Sequence, residues 1–112
     1  VDEESIYPLE NKRIYERILE ENGLIISEYP IGTKPISYNF PARNRIISGL
    51  SDKVLVVEAN IKSGSLITVD FALEQGKDVW AIPGNIYSIN SQGTNRLISE
   101  GANIFVNIED LL

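Results

Sequence analysis

Cysteine and histidine are both missing from this chain of 112 residues. That removes disulfides, thiolate nucleophiles, the usual zinc ligands and the usual general base in one stroke. No apolar run approaches the roughly 18 residues of a membrane-crossing helix, and no signal-peptide pattern opens the sequence. The expected setting is reducing and cytoplasmic, with no membrane, metal or cofactor. Basic residues are scarce as well, ten against sixteen acids for a net charge of −6, which argues against a generic nucleic-acid binder. The shortfall is uneven. Residues 1–30 hold eight acids and three bases, whereas residues 31–112 hold eight and seven. Within 34–62, Lys34, Arg43, Arg45, Lys53 and Lys62 are set against Asp52 and Glu58 alone, a local balance of +3. A basic patch therefore sits on an acidic chain. Repeats and low-complexity segments are absent. The 43% hydrophobic content suffices for one domain with a real core.

The apolar residues alternate between two periods. Ile14, Ile18 and Leu19 with Tyr15 fall at helical spacing over residues 9–22, and Asn22-Gly23 supplies a stop. Leu24-Ile25-Ile26-Ser27 reads as a short buried strand. Pro30, Gly32, Pro35 and Pro41 make 28–41 a long loop, a length usually kept for function. A helix over 42–50 follows. Val54-Leu55-Val56-Val57-Glu58, apolar on both faces, has the signature of a central parallel strand. Ser63-Gly64-Ser65 opens a helix that runs to about Glu74 and closes at Gly76. Val79-Trp80-Ala81-Ile82 is the next strand, then a polar loop over 84–92 and a short helix from Thr94 to Glu100. Ile104-Phe105-Val106 gives a last strand, and residues 107–112 look like the start of a final helix. Strands alternating with helices predict an α/β fold with a doubly wound, mostly parallel sheet. Four strands are few for such a sheet, so a piece of a larger protein is expected.

Ligands of doubly wound sheets sit at the carboxyl ends of the strands. Three loops leave those ends here. The first, 28–41, leads into Phe40-Pro41-Ala42-Arg43-Asn44-Arg45, where Pro41 suits the first turn of a helix. Starting that helix near Ala42 places two arginines in its first turn, against the positive end of its dipole. Either an anion sits there, held by backbone N–H groups and guanidinium forks, or the arginines are solvated and cover apolar surface with their stems. The second loop, 59–65, offers Lys62, Ser63, Gly64 and Ser65 at a helix start, as an anion cradle or as ordinary N-capping. The third holds Pro83-Gly84-Asn85 and Gly93-Thr94-Asn95-Arg96, where turn and cap chemistry is the bland explanation. Their convergence on one edge favours a phosphate-bearing ligand.

Val54–Ala59 followed by Ser63–Thr68, Ala81–Gly84, Gly93–Ile98 and Gly101-Ala102 strongly resembles the DprA/Smf family of DNA-processing proteins. Ile6-Tyr7-Pro8 with Glu10-Asn11, Ser27–Pro30 and Phe40–Leu50 extend the resemblance over essentially the whole chain. It implies a Rossmann-like domain that binds and protects single-stranded DNA during natural transformation and helps load the RecA recombinase. It implies dimerisation through that domain, and no enzymatic activity. It also implies that a preceding part with a Gly-Ser-Arg phosphate loop, and any following winged-helix domain, lie outside these residues. By position, Phe40 is expected to stack on a base while Arg43, Asn44 and Arg45 hold phosphates or order the pocket. Lys62, Ser63, Gly64, Ser65 and Thr68 are expected to form its second wall. The alternatives are a loop anchor for Phe40 and, for Arg45, a structural pair with Glu58 or Asp70. Some relatives place a lysine three residues before the phenylalanine; here that residue is Ser37, and the nearest lysine is Lys34.

Two other readings compete. The lysine-decarboxylase-like phosphoribohydrolases use a Pro-Gly-Gly-x-Gly-Thr loop and a downstream glutamate, whereas this chain has Pro83-Gly84-Asn85-Ile86 and no glutamate soon after. With Glu58 and Glu74 as the carboxylates near the loops, a catalytic set is hard to assemble. A protein-interaction module suits the acidic residues 2–28.

Overall fold

The computed structural model describes residues 4–112, which separate into two compact units, residues 4–37 and 38–112. In the first, a 3-10 turn, Leu9–Asn11, runs into helix α1, Lys12–Glu20. The helix ends at the predicted stop. Asn22 takes a left-handed φ of 61°, and its N–H bonds to Leu19 O while the Gly23 N–H reaches Ile18 O at 2.7 Å. This is the six-to-one closure of a Schellman motif. A Cβ on Gly23 would lie 2.6 Å from Ile18 Cγ2, so only glycine fits there. Arg17 and Glu21 pair one turn apart at 3.0 Å, an exposed contact contributing a few tenths of a kcal/mol.

Leu24–Ser27 does not form the expected strand. Leu24 is 82% exposed and Ile26 55%, and neither lies in a ladder. An apolar run becomes a strand only against a partner. Among the described residues no strand pairs with it.

The second unit holds the sheet. Helix α2, Asn39–Gly49, precedes β1, Lys53–Val56. Then come α3, Ser65–Glu74; β2, Asp78–Ala81; α4, Ile89–Ser99; and β3, Asn103–Ile104. The strands are parallel in the order β1-β2-β3, with Val54 beside Val79, Val56 beside Ala81, and Ala81 beside Ile104. The α/β class and open parallel sheet are therefore as the sequence predicts. Adjacent strands advance in one direction, so right-handed crossovers lay α3 and α4 on the same face. Val56, Val79 and Ala81 point into that face and are almost fully buried with Val69 and Ala72 of α3. Leu55 and Trp80 occupy the opposite face and stay half-exposed.

Four boundaries differ from expectation. β1 is an edge strand among the described residues rather than a central one. α2 starts three residues early, because Pro41 sits inside the first turn, where its missing N–H has no helical partner to lose. α4 starts at Ile89 rather than Thr94, so the polar loop is shorter. The last element is a single 3-10 turn, Ile108–Leu111. There the Asn107 side chain caps Glu109 N, and Asp110 accepts from Val106 N at 2.8 Å and Asn107 N at 3.1 Å. Those two backbone donors, then Lys53, hold the Asp110 carboxyl below its usual range. Lys53 Nζ also donates to the carbonyls of Asp110 and Leu111, tying the turn to the start of β1.

Candidate nucleic-acid interface

All nine predicted site residues lie in the second unit. Phe40 and Arg43 stand one turn apart on α2, and the guanidinium carbon of Arg43 sits 5.6 Å from the Phe40 ring centroid. At an exposed site such a cation–π contact contributes about 0.5–1 kcal/mol. Arg43 is fixed from its other side. Its Nε and Nη2 donate to Asn44 Oδ1 at 3.4 and 3.2 Å, and Asn44 is buried. The result is a ring, a cation and an amide held together. Phe40 keeps 38% of its surface open.

The early start of α2 corrects one expectation. Arg43, Asn44 and Arg45 belong to its second turn, where backbone N–H groups already serve the helix. An anion here meets side chains rather than an N–H cradle. Arg43 and Arg45, two residues apart, diverge by about 200° around the axis and do not form one fork. The Arg45 backbone carbonyl joins the α2–α3 seam. Gln75 Nε2 donates to Arg45 O at 3.0 Å, and Gln75 Oε1 accepts from the fully buried Ser48 at 2.8 Å. Lys77 Nζ reaches Gly49 O. The carboxyl ends of the two helices are thus clamped together beside the start of β1.

Loop 59–65 uses most of its donors internally. Asn60 Oδ1 accepts from Lys62 N at 2.8 Å, Ser63 Oγ accepts from Ser65 N at 3.3 Å, and the two serine hydroxyls meet at 3.2 Å. These contacts form a local turn ahead of α3, whose N-cap position is Gly64 and carries no side-chain capping bond. Lys62, Gly64 and Ser65 are exposed, Ser63 half-buried, and Thr68 lies half-buried one turn further along α3.

Sequence reasoning underrated the residues that bring the loops together. Gly93, read as loop chemistry, is inside α4 and buried. Its N–H donates to Ala59 O at 2.8 Å, while Ala59 N donates to Asn90 O at 2.8 Å. A Cβ on Gly93 would fall 2.5 Å from Ala59 O and 2.7 Å from Asn60 O. Asn95 clasps the other loop, accepting from Gly84 N and donating to Gly84 O, both at 3.0 Å. Thr94 is fully buried and donates to Ser91 O. One helix start thus fastens the loops after β1 and β2. Loop 83–88 folds on itself through Asn85, whose Oδ1 accepts from Tyr87 N and whose carbonyl accepts from Ser88 N.

The first unit contains a cavity of about 600 Å³ bordered by Ile6, Tyr7, Ile31, Lys34 and Pro35 among others, and no predicted site residue lines it. Among the described residues no helix is long and apolar enough to cross a membrane.

The family model of DNA recombination-mediator protein A matches residues 2–112. Protein Smf of Escherichia coli is 48% identical over 108 residues, covering 96% of this chain and 29% of its own. The crystal structure of DNA processing protein A from Streptococcus pneumoniae superposes with a TM-score of 0.86 at 45% identity, over 97% of this chain and 38% of that one. DNA processing protein A from Helicobacter pylori, whose structure is described for its single-stranded DNA binding mode, gives 0.81 at 37% identity, over 95% and 48%. The chain thus spans less than half the length of each of these three.

Proposed function

Because the chain belongs to the DNA recombination-mediator protein A family, we propose that it binds single-stranded DNA as the later part of a Rossmann-like DNA-processing domain. Bound strands are protected during natural transformation and passed to the RecA recombinase, by a cytoplasmic protein that works as a homodimer and is not an enzyme. The observation that carries this reading is the Phe40–Arg43–Asn44 arrangement. It offers a partly open ring for a base and a positioned guanidinium for a phosphate, the two elements of sequence-tolerant single-strand binding. The description of the Helicobacter pylori relative supports it.

Binding and turnover separate this proposal from an enzymatic one. The natural full-length polypeptide should bind oligo-dT with affinity that falls steeply as salt rises. It should release no base from nucleoside monophosphates. Base release with salt-insensitive DNA binding would reverse the assignment.

A further inference from the structure

Building on the single-stranded DNA reading, we propose that Tyr87 is a second base-stacking platform, at the carboxyl end of β2. At 87% exposure it is the most exposed aromatic among the described residues. Its turn is nevertheless pinned. Tyr87 N donates to Asn85 Oδ1 at 2.8 Å, Ser88 N to Asn85 O at 3.0 Å, and Gly84 is clasped through both backbone groups by Asn95. A ring displayed on a fixed turn gives up little backbone freedom when a base lands on it.

The surroundings suit a base more than a phosphate. Ile86 at 72% and Ile89 at 66% are exposed within two residues of Tyr87 in the chain, and Val57 and Ile61 lie exposed on the loop after β1. That loop is bound to α4 through Ala59 and Gly93, so the apolar groups belong to one fastened edge. Lys62 and Glu58 are the charged residues of the two loops and cancel. Attraction for a phosphate is therefore weak, and stacking carries the contact. Loops after adjacent strands stand side by side. Tyr87 therefore shares its edge with the loop that carries Lys62, and a strand held by that loop has Tyr87 on the next one. A polar, flexible loop would hold solvent here; a rigid apolar one holds a π-face.

The test is oligo-dT binding by the natural full-length polypeptide, read by anisotropy at several salt concentrations. Tyr87→Ala should weaken binding roughly 5- to 100-fold with an unchanged salt slope, as expected for loss of one stacked base. Tyr87→Phe should keep parental affinity, because the ring and not the hydroxyl makes the contact. Ultraviolet crosslinking to bromodeoxyuridine-substituted oligonucleotide should label the peptide carrying residues 82–88. Parental affinity in Tyr87→Ala alongside weakened Phe40→Ala overturns this inference and leaves the DNA reading standing. Parental affinity in both, with no crosslink, overturns the two together. Unchanged DNA affinity with lost capture of a protein partner also overturns it and assigns the patch to protein docking.

Discussion

Gly93→Ala is the perturbation whose size the structure sets most tightly. The new Cβ would sit 2.5 Å from Ala59 O, 2.7 Å from Asn60 O and 3.0 Å from Ala59 C, all backbone atoms with no rotamer to change. Either α4 lifts off the loop after β1 or that loop moves away from α4. Overpacking of this kind costs about 1–3 kcal/mol. Moving the two apart also weakens Gly93 N to Ala59 O and Ala59 N to Asn90 O, both at 2.8 Å. Each bond has a net contribution of about 0.5–1.5 kcal/mol. Against this stands the better helix propensity of alanine, about 1 kcal/mol. The expected loss is about 2–4 kcal/mol, read as a lower urea midpoint at constant m-value. Gly49→Ala is the matched control. Its Cβ meets only Gln75 Nε2 at an ordinary 3.7 Å, and φ at Gly49 is not positive. It should leave stability unchanged or raise it by up to about 1 kcal/mol. A Gly93→Ala protein as stable as the parent would refute the close-approach argument, and with it the claim that one helix start fastens both loops.

Three further outcomes follow from particular contacts. Gln75→Ala leaves Arg45 O and the buried Ser48 hydroxyl without their clamp and should destabilise the α2–α3 pair by about 1–3 kcal/mol, measured in urea. Asp110 has a folded pKa below its unfolded value, so its stabilisation is present above roughly pH 4 and disappears as pH falls through the lower folded value. Asp110→Asn should therefore lower the melting temperature at pH 7, and the gap to the parent should close as pH falls through the lowered carboxyl value; equal melting at pH 7 would contradict the role of the Val106 and Asn107 donors. The outer edge of β1 is unpaired among the described residues and carries Val54, Leu55 and Val56. Residues 1–112 expressed alone should self-associate through it, and a monodisperse monomer in analytical ultracentrifugation would count against this.

Legibility varied with how local the cause was. Helix α1 was readable because its stripe, its Asn22-Gly23 stop and the closure on Ile18 lie within one stretch of chain. The end of α3 was readable because Gly76, at φ 73°, is a local backbone requirement. Leu24–Ser27 misled because its β-prone sequence says nothing about whether a neighbour exists. Val54–Val57 reads as central, whereas among the described residues β1 lies at an edge, for the same reason. The site divided along the same line. Phe40, Arg43 and Asn44 are adjacent in sequence, and their contacts are one-turn contacts. The roles of Gly93 with Ala59 and of Asn95 with Gly84 depend on pairings more than ten residues apart, which no periodicity announces. Gln75 joining Ser48 and Arg45 is of the same long-range kind.

The central claim is that Phe40 supplies stacking and Arg43 supplies charge to a single strand of DNA. Both variants, Phe40→Ala and Arg43→Ala, are to be checked for a parental melting transition and then titrated with oligo-dT in the natural full-length polypeptide across a salt series. Arg43→Ala should weaken all sequences alike and flatten the salt slope by about one unit. Phe40→Ala should cost about 1–3 kcal/mol with the slope nearly unchanged. Folded variants that both bind as tightly as the parent at low and high salt would contradict the account.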